Sequence, residues 1–469
     1  MPPMSRVHAF SDDALGDLDA VGVVERLQAG EASVQEVVDA AIARTEAVNG
    51  ELGAVAYRDY GRARNEARNP RGGYFAGVPT FVKDNVDVGG MPTMQGTDAW
   101  TPYVAKKDGD FARMYFATGL VPLGKTRLSE YGFSASCEHP RLGPVRNPWH
   151  TDHTAGASSA GSSALVAAGA VPIAHANDGG GSIRIPAAVN GLVGLKPSRG
   201  RLAQDALMRQ QPVRIVADGV VTRSVRDTAA FYREAERIYR PLEMPPIGDL
   251  TRPGRKRLRI ALNTTGLTRG ADAEVTRLTE ETARLLEELG HTVVETDAPV
   301  PPSFPDDFLL YWASLALALV TGGRASHGRS WVRANHDALT DGLARHARRN
   351  LHRLPGAIVR LRRSTRDAAL FFDKYDVSLT PTVASPTPRI GHLDPTADYE
   401  TIIERLMDWV TFTPLQNVTG TPAISLPLAT TATGLPQGMM LGSGFGHEAV
   451  LLELSYELEQ ARPWARITG

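Results

Sequence analysis

Apolar residues recur on one helical face at Val37, Val38, Ala41 and Ile42. Ser33 with Glu36 three positions later forms a capping-box pattern just ahead of them, so the chain predicts a helix over 33–48. A shorter helix is expected over 20–28, strands at 54–57, 78–83 and 120–123, and a helix at 109–118 between the last two strands. Small residues fill 160–168, which reads as a tightly packed helix, and 171–174 as a short buried strand. A strand at 257–262, an amphipathic helix at 271–289 and a strand at 291–295 make a βαβ unit, which argues for parallel pairing. A proline-rich break at 299–305 precedes helical segments running to about 375. Strands at 377–379 and 423–428 and a helix at 447–460 complete the pattern, with Met439-Met440 reading as core strand. No internal repeat or long Gly/Ser linker divides the chain, so one domain over 1–469 is expected.

Composition changes this picture little. The apolar fraction of 42% and charged fraction of 22% are those of a globular protein. A net charge of −1 supplies no global attraction for nucleic acid or an anionic membrane. One cysteine, Cys137, rules out a disulfide within the chain and a cysteine-rich zinc site. The start, "MPPMSRVHAFSDD", has no apolar signal-like stretch, and the weakly polar run 164–174 is too short to span a bilayer. The expectation is a cytoplasmic enzyme without a membrane or nucleic-acid partner. Only seven of the 51 basic residues are lysines, so each lysine draws notice.

Several signals compete for function. The segment 119–126, "GLVPLGKT", fits the letter of a phosphate-binding P-loop. Its central Leu, Val, Pro and Leu suit a buried strand, and the proline removes one N–H donor, so a nucleotide-binding reading is disfavoured. Eight arginines between Arg345 and Arg366 form either a nucleic-acid patch or a solvated helix face, and the near-neutral whole favours the face, broken near Pro355-Gly356. No histidine pair has metalloprotease spacing, so neither a metal nor any other cofactor is expected.

The stretch "NDGGGSIRIP" over 177–186 is different. Three glycines before a serine allow consecutive N–H groups of Gly179, Gly180, Gly181 and Ser182 to converge on one point, an oxyanion hole beside a serine nucleophile. A plain strand-closing turn is the competing reading. Upstream, "GASSAGSS" over 156–163 reads alone as a loop capping a helix. Lys83 ends an apolar strand, where a lysine either snorkels to solvent or, if buried, loses its proton and serves as a base.

Together, Lys83-Asp84-Asn85, the run from 156 to 200 and "FTPLQNVTGTPAISLPL" over 412–428 resemble the amidase signature family. The separation is 75 residues from Lys83 to Ser158 and 24 from Ser158 to Ser182. The resemblance covers nearly the whole chain and is weakest over about 300–375. It implies an α/β fold with a mixed, largely parallel central β-sheet surrounded by helices. The family core would lie at about 70–200, and a helical substrate-lining region at about 300–375. It also implies a Ser–cis-Ser–Lys triad, with Ser182 as nucleophile, Ser158 as the bridging cis-serine and Lys83 as base. Asp178 and Arg184 fall at a supporting ion pair, and Ser159 at a further hydrogen-bonding position. Ala160 stands where the family has Gly or Ser, Ala157 where Gly is commoner, and Asn190 where cysteine is frequent.

The implied partner is a small-molecule amide or carbamate, also an ester or aryl amide. A homodimer is among the assemblies open to such a chain. The segments "AHANDGGGSIRIPA" and "VRNPW" look most like nylon-oligomer hydrolases and aryl-acylamidase or urethanase-type enzymes. The glutaminase subunit of a tRNA amidotransferase is the alternative, but that branch usually carries Gln where this chain has Ile185. From position beside the motifs, Cys137, Trp409, Phe412 and Gln416 are candidates to line the acyl pocket, with plain core positions as the favoured competing reading.

Overall fold

A computed structural model describes residues 6–468. The expected helix near the start spans Val34–Leu52, and Ser33 and Glu36 cap it reciprocally. The helix before it covers Ala20–Gln28, as its pattern predicts.

Three strands form a small sheet: β1 (Val55–Arg58), β2 (Pro79–Lys83) and β3 (Val121–Thr126), in the order β1-β3-β2. Strand β3 pairs antiparallel with β1 and parallel with β2. It is buried throughout, and it contains the segment that fits a P-loop. No open loop exists there to wrap a phosphate. Lys125 points into the core and meets Asp84 at 2.7 Å, both side chains being fully buried. It also donates to Pro92 O and Thr93 Oγ1.

Eight strands form the second sheet: β4 (Ile173–Asp178), β5 (Val193–Lys196), β6 (Ala217–Thr222), β7 (Arg259–Leu262), β8 (Thr292–Glu295), β9 (Val377–Pro381), β10 (Ala423–Thr430) and β11 (Pro436–Ser443). Their order is β4-β6-β5-β10-β11-β9-β7-β8. The sheet is mixed, as expected, but the parallel share is smaller than expected. Only β7 with β8 and β7 with β9 run parallel, whereas the other five pairings are antiparallel. Parallel pairing is confined to β8, β7 and β9, because helical crossovers, Ala273–Glu288 between β7 and β8 and the helices of 304–372 between β8 and β9, return the chain to the same end of the sheet. Met439 and Met440 lie in β11 and are buried.

The helix Ala160–Ala167 is buried along its whole length and packs against β2, β3 and β4, so it joins the two sheets. Its small residues are a packing requirement. A Cβ on Gly161 would lie 2.3 Å from Ala54 O.

The region 300–375 is helical, in three pieces: Phe304–His327, Ala338–Asn350 and Leu354–Phe372. The break falls before Pro355, which sits in the first turn of the third helix, where its missing N–H costs nothing. The eight arginines from Arg345 to Arg366 are exposed. Arg360 pairs with Asp307 and Arg362 donates to Pro212 O. The stretch Phe304–Ser330 is long and apolar enough to cross a bilayer, and here it packs on both neighbouring helices.

Replacing one member of the Lys125–Asp84 pair strands a buried charge. Lys125→Met should lower the unfolding free energy by about 3–5 kcal/mol in urea titration, and adding Asp84→Asn should recover at least half of the loss. Millimolar ATP should leave the Tm of the wild-type protein unchanged, because a ligand that binds the native state must raise it.

Candidate active site

Three elements converge at the end of the small sheet. Strand β2 ends in Lys83, the turn before helix Ala160–Ala167 carries Ser158, and the turn after β4 carries Ser182. The Lys83 amine is fully buried and donates to Ser158 Oγ at 2.7 Å and to Asn177 Oδ1 at 2.6 Å. The peptide bond between Ala157 and Ser158 is cis. Ser159 Oγ donates to Ser182 O at 2.6 Å, which ties the Ser158 segment directly to the Ser182 turn.

Burial pulls the Lys83 amine down to about 7, against the opposing attraction of Asp178 and Asp218. No carboxylate hydrogen-bonds it. Its partners are a hydroxyl, the Asn177 side-chain oxygen and, at 3.3 Å, the Asn177 main-chain carbonyl, which accept from the amine without adding the formal charge that would hold it protonated. Asn177 is itself fixed, its Nδ2 donating to Asn85 Oδ1 at 3.0 Å. The Lys83 N–H donates to His175 Nδ1, which leaves His175 Nε2 to face Asp218 at 3.3 Å. Burial lowers the His175 pKa, so this neighbour brings no positive charge to the amine.

The glycine turn is held by Asp178. Its carboxylate accepts from the N–H groups of Gly181 (2.7 Å), Ile183 (3.1 Å) and Arg184 (3.4 Å), from the Arg184 guanidinium (2.9 Å) and from Asn417 Nδ2 (2.8 Å). Burial would raise this carboxyl, but the Arg184 charge overrides it and holds the group well below the usual carboxylate range. Arg184 in turn donates to Gln416 Oε1 at 2.9 Å and Asn417 Oδ1 at 2.7 Å. Gly181 has φ +134°, and a Cβ there would meet Thr413 Oγ1 at 2.4 Å, so only glycine fits.

This geometry corrects the expected donor set. The Gly181 N–H is committed to Asp178, which leaves Gly179, Gly180 and Ser182 as the N–H groups able to face a ligand. Asn177 and Asn417 are the polar residues that sequence reasoning passed over. Asn177 stands inside the glycine-rich stretch beside Asp178, and Asn417 inside the C-terminal motif.

Ser182 opens onto a pocket of about 510 Å³, including its mouth. The walls are apolar: Phe133, Ile185, Phe308, Trp312, Leu406 and Val410 are among them, and no charged residue takes part. None of the candidates Cys137, Trp409, Phe412 and Gln416 lines it. Cys137 is 1% exposed within the main core. Trp409 is buried, with its indole N–H on Ser385 O. Phe412 and Gln416 face a different cavity behind the helix Pro414–Thr419. Adjacency to a motif along the chain failed because that short helix turns successive side chains to opposite sides. Pro414 reaches the Ser182 pocket, and Leu415 and Gln416 face away from it.

Residues 36–452 match the amidase family. The chain is 64% identical over 465 residues to "Putative amidase AmiC" of Mycobacterium leprae (strain TN), covering 99% of each chain. The solved structure of 6-aminohexanoate cyclic dimer hydrolase complexed with substrate superposes with a TM-score of 0.86 at 29% identity, covering 97% of this chain and 98% of the other. A bacterial aryl acylamidase of the amidase signature enzymes superposes with a TM-score of 0.86 at 27% identity, covering 96% and 97%. The fold, the convergence of β2 with the glycine turn and these matches together make the chain a member of the amidase signature family, an enzyme that hydrolyses amide C–N bonds.

Proposed function

We propose that Ser182, Ser158 and Lys83 form a proton relay that cleaves apolar amides through an acyl-enzyme. The observation that carries this reading is the Lys83 amine, buried, brought near neutrality, and hydrogen-bonded to Ser158 Oγ beside the turn that bears Ser182.

Lys83 takes the Ser158 proton as Ser158 takes that of Ser182. Ser182 Oγ bonds to the substrate carbonyl carbon, and the carbonyl electron pair moves to oxygen. The oxyanion is received by N–H groups of Gly179, Gly180 and Ser182. On collapse the C–N bond breaks and the leaving nitrogen takes its proton from Ser158, which is resupplied by Lys83. Water then attacks the acyl-enzyme by the same relay and releases the acid. Ser159, Asp178 and Arg184 hold this constellation in place.

The uncharged walls around Ser182 favour an apolar acyl group. The matches to a cyclic-dimer hydrolase and an aryl acylamidase support neutral cyclic or aromatic amides as substrates. Carbamates, urethanes and esters present the same electrophilic carbonyl and belong to this reading. The glutaminase alternative is weaker, since glutamine is polar and Ile185 is part of the apolar wall. A single amidase domain acting in the cytoplasm suits the lone buried Cys137, which has no disulfide partner in the chain.

Ser182→Ala should abolish hydrolysis of a hexanoyl anilide with Tm unchanged, and a fluorophosphonate probe should label the wild type and not the variant, as read by intact mass. Persistent labelling would remove Ser182 from the role of nucleophile.

The acyl pocket should discriminate against charge. A succinyl anilide would bury an unpaired carboxylate at a cost of several kcal/mol, so its kcat/KM should fall at least about 100-fold below that of the hexanoyl compound.

The neutral amine is the active form, so kcat/KM should rise with pH through about 7 and level off above it. Asn177→Asp places a carboxylate on the amine and favours its charged form, so the rising limb should move at least about one unit to higher pH. Lys83→Ala should remove the limb together with most of the activity. An Asn177→Asp profile identical to wild type would sever the link between Lys83 and catalysis.

A further inference from the structure

Behind the active-site turn lies a second cavity of about 550 Å³, including its mouth, which shares no lining residue with the Ser182 pocket. The helix Pro414–Thr419 is the partition between them. The second cavity sits at the carboxyl ends of the parallel strands. Asn263 follows β7 directly, and Thr296 and Asp297 follow β8 directly. In open α/β sheets this end of parallel strands is where ligands bind, because the loops there leave a crevice. The reaction proposed at Ser182 makes no use of it.

The polar groups in this cavity define an occupant. At the inner end, Gln416 is 95% buried. Its Oε1 is held by Arg184, while its Nε2 has no hydrogen-bond partner among the described residues. Ser378 Oγ, in the same wall, likewise has none. Both groups are open to the cavity, where an oxygen on a ligand would give the Gln416 amide the acceptor that it lacks within the protein. No lysine, arginine or histidine lines the cavity, so a carboxylate would be desolvated there without a counter-ion, and a neutral carbonyl oxygen is favoured. The middle is apolar, with Phe371, Phe372, Phe412 and Leu415. At the mouth, Asp297 is exposed and carries the only charge in the lining, with no ion-pair or hydrogen-bond partner among the described residues.

We propose that this cavity is a second small-molecule site, separate from the catalytic one. It takes short aliphatic amines that carry a neutral carbonyl group at the far end. The carbonyl oxygen accepts from Gln416 Nε2, the methylenes pack on the phenylalanines, and the ammonium meets Asp297. A ligand in this position ends one side chain away from Arg184 and the Asp178 carboxylate that shapes the glycine turn.

The test uses N-(5-aminopentyl)acetamide as probe and N-pentylacetamide, which lacks the ammonium, as control. Calorimetry on the Ser182→Ala protein avoids turnover. The probe should bind saturably and about fivefold more tightly than the control, the strength of a partly exposed ion pair. Asp297→Asn, at an exposed position, should erase that preference. Ala298→Trp, which fills the mouth, should abolish binding of both compounds. Leu406→Trp, which narrows the Ser182 pocket, should leave binding intact. In the Ser182-containing background, Asp297→Asn should hydrolyse a reference anilide as the wild type does, which certifies its fold. The proposal is overturned if no saturable binding occurs below 10 mM (about −3 kcal/mol). It is also overturned if the preference survives Asp297→Asn, or if Leu406→Trp abolishes binding while Ala298→Trp does not.

Discussion

The carboxylate of Asp178 is the point on which the site hangs. Buried among five donor groups, it bends the glycine run back on itself through three backbone N–H groups and fixes Arg184 and Asn417 with its remaining lone pairs. A buried charge is tolerated only when geometry and hydrogen bonds repay its desolvation, so this cluster is all or nothing. It also explains why a motif 230 residues downstream accompanies the glycine turn. Gln416 and Asn417 complete the coordination of Arg184, and Asn417 Nδ2 returns to Asp178 itself.

Burial alone does not decide what a lysine becomes. Lys83 and Lys125 lie on neighbouring strands, both fully buried. Lys125 has Asp84 at 2.7 Å, and the pull of that carboxylate works against the lowering that burial imposes on its amine. Lys83 has Asn177 and Ser158 around its amine and no carboxylate hydrogen-bonded to it, so burial outweighs the pull of Asp178 and Asp218. Lys196 is a third fully buried lysine, also brought down to about 7 by burial, with its amine on the carbonyl of Pro197. The immediate acceptor is what separates Lys83 from Lys125: an amide oxygen permits proton loss where a carboxylate opposes it.

What could be read from the sequence follows the range of the interactions. The helix beginning at Val34 was legible because its cap and its apolar face lie within a few residues of each other. The glycine turn was legible for the same reason, since Asp178, Gly181 and Arg184 span seven positions. The strand at Val121–Thr126 was legible against a literal nucleotide motif, because Leu, Val and Pro cannot form an open phosphate loop. Beyond the parallel pair of the βαβ unit, the sheet pairings were not legible. Strand direction is fixed by connections across the molecule, and the βαβ pattern at 257–295 describes only one end of eight strands. The withdrawal of the Gly181 N–H from the oxyanion donors was also hidden, because it depends on where the Asp178 side chain turns. The pocket residues failed for the most ordinary reason: proximity to a motif along a helix says nothing about which side of that helix a residue occupies.

The chemistry and half of the pocket wall therefore come from different parts of the chain. Every group in the proposed relay lies between residues 83 and 182, on two sheets locked together by a buried helix whose packing leaves no room even for a methyl at Gly161. Half of the pocket lining, including Phe308, Trp312, Leu406 and Val410, comes from the segments that follow the βαβ unit. Those helices pack chiefly on one another, and their apolar cluster is distinct from the main core around the sheets. A substitution at Leu406 changes the shape offered to an acyl group without hydrogen-bond contact to the Asp178 network, whereas Trp312 packs directly over Gly179 of the glycine turn. The segment with the weakest family resemblance is thus the one where divergence costs the catalytic geometry least, and where a common C–N hydrolase can acquire a substrate of its own.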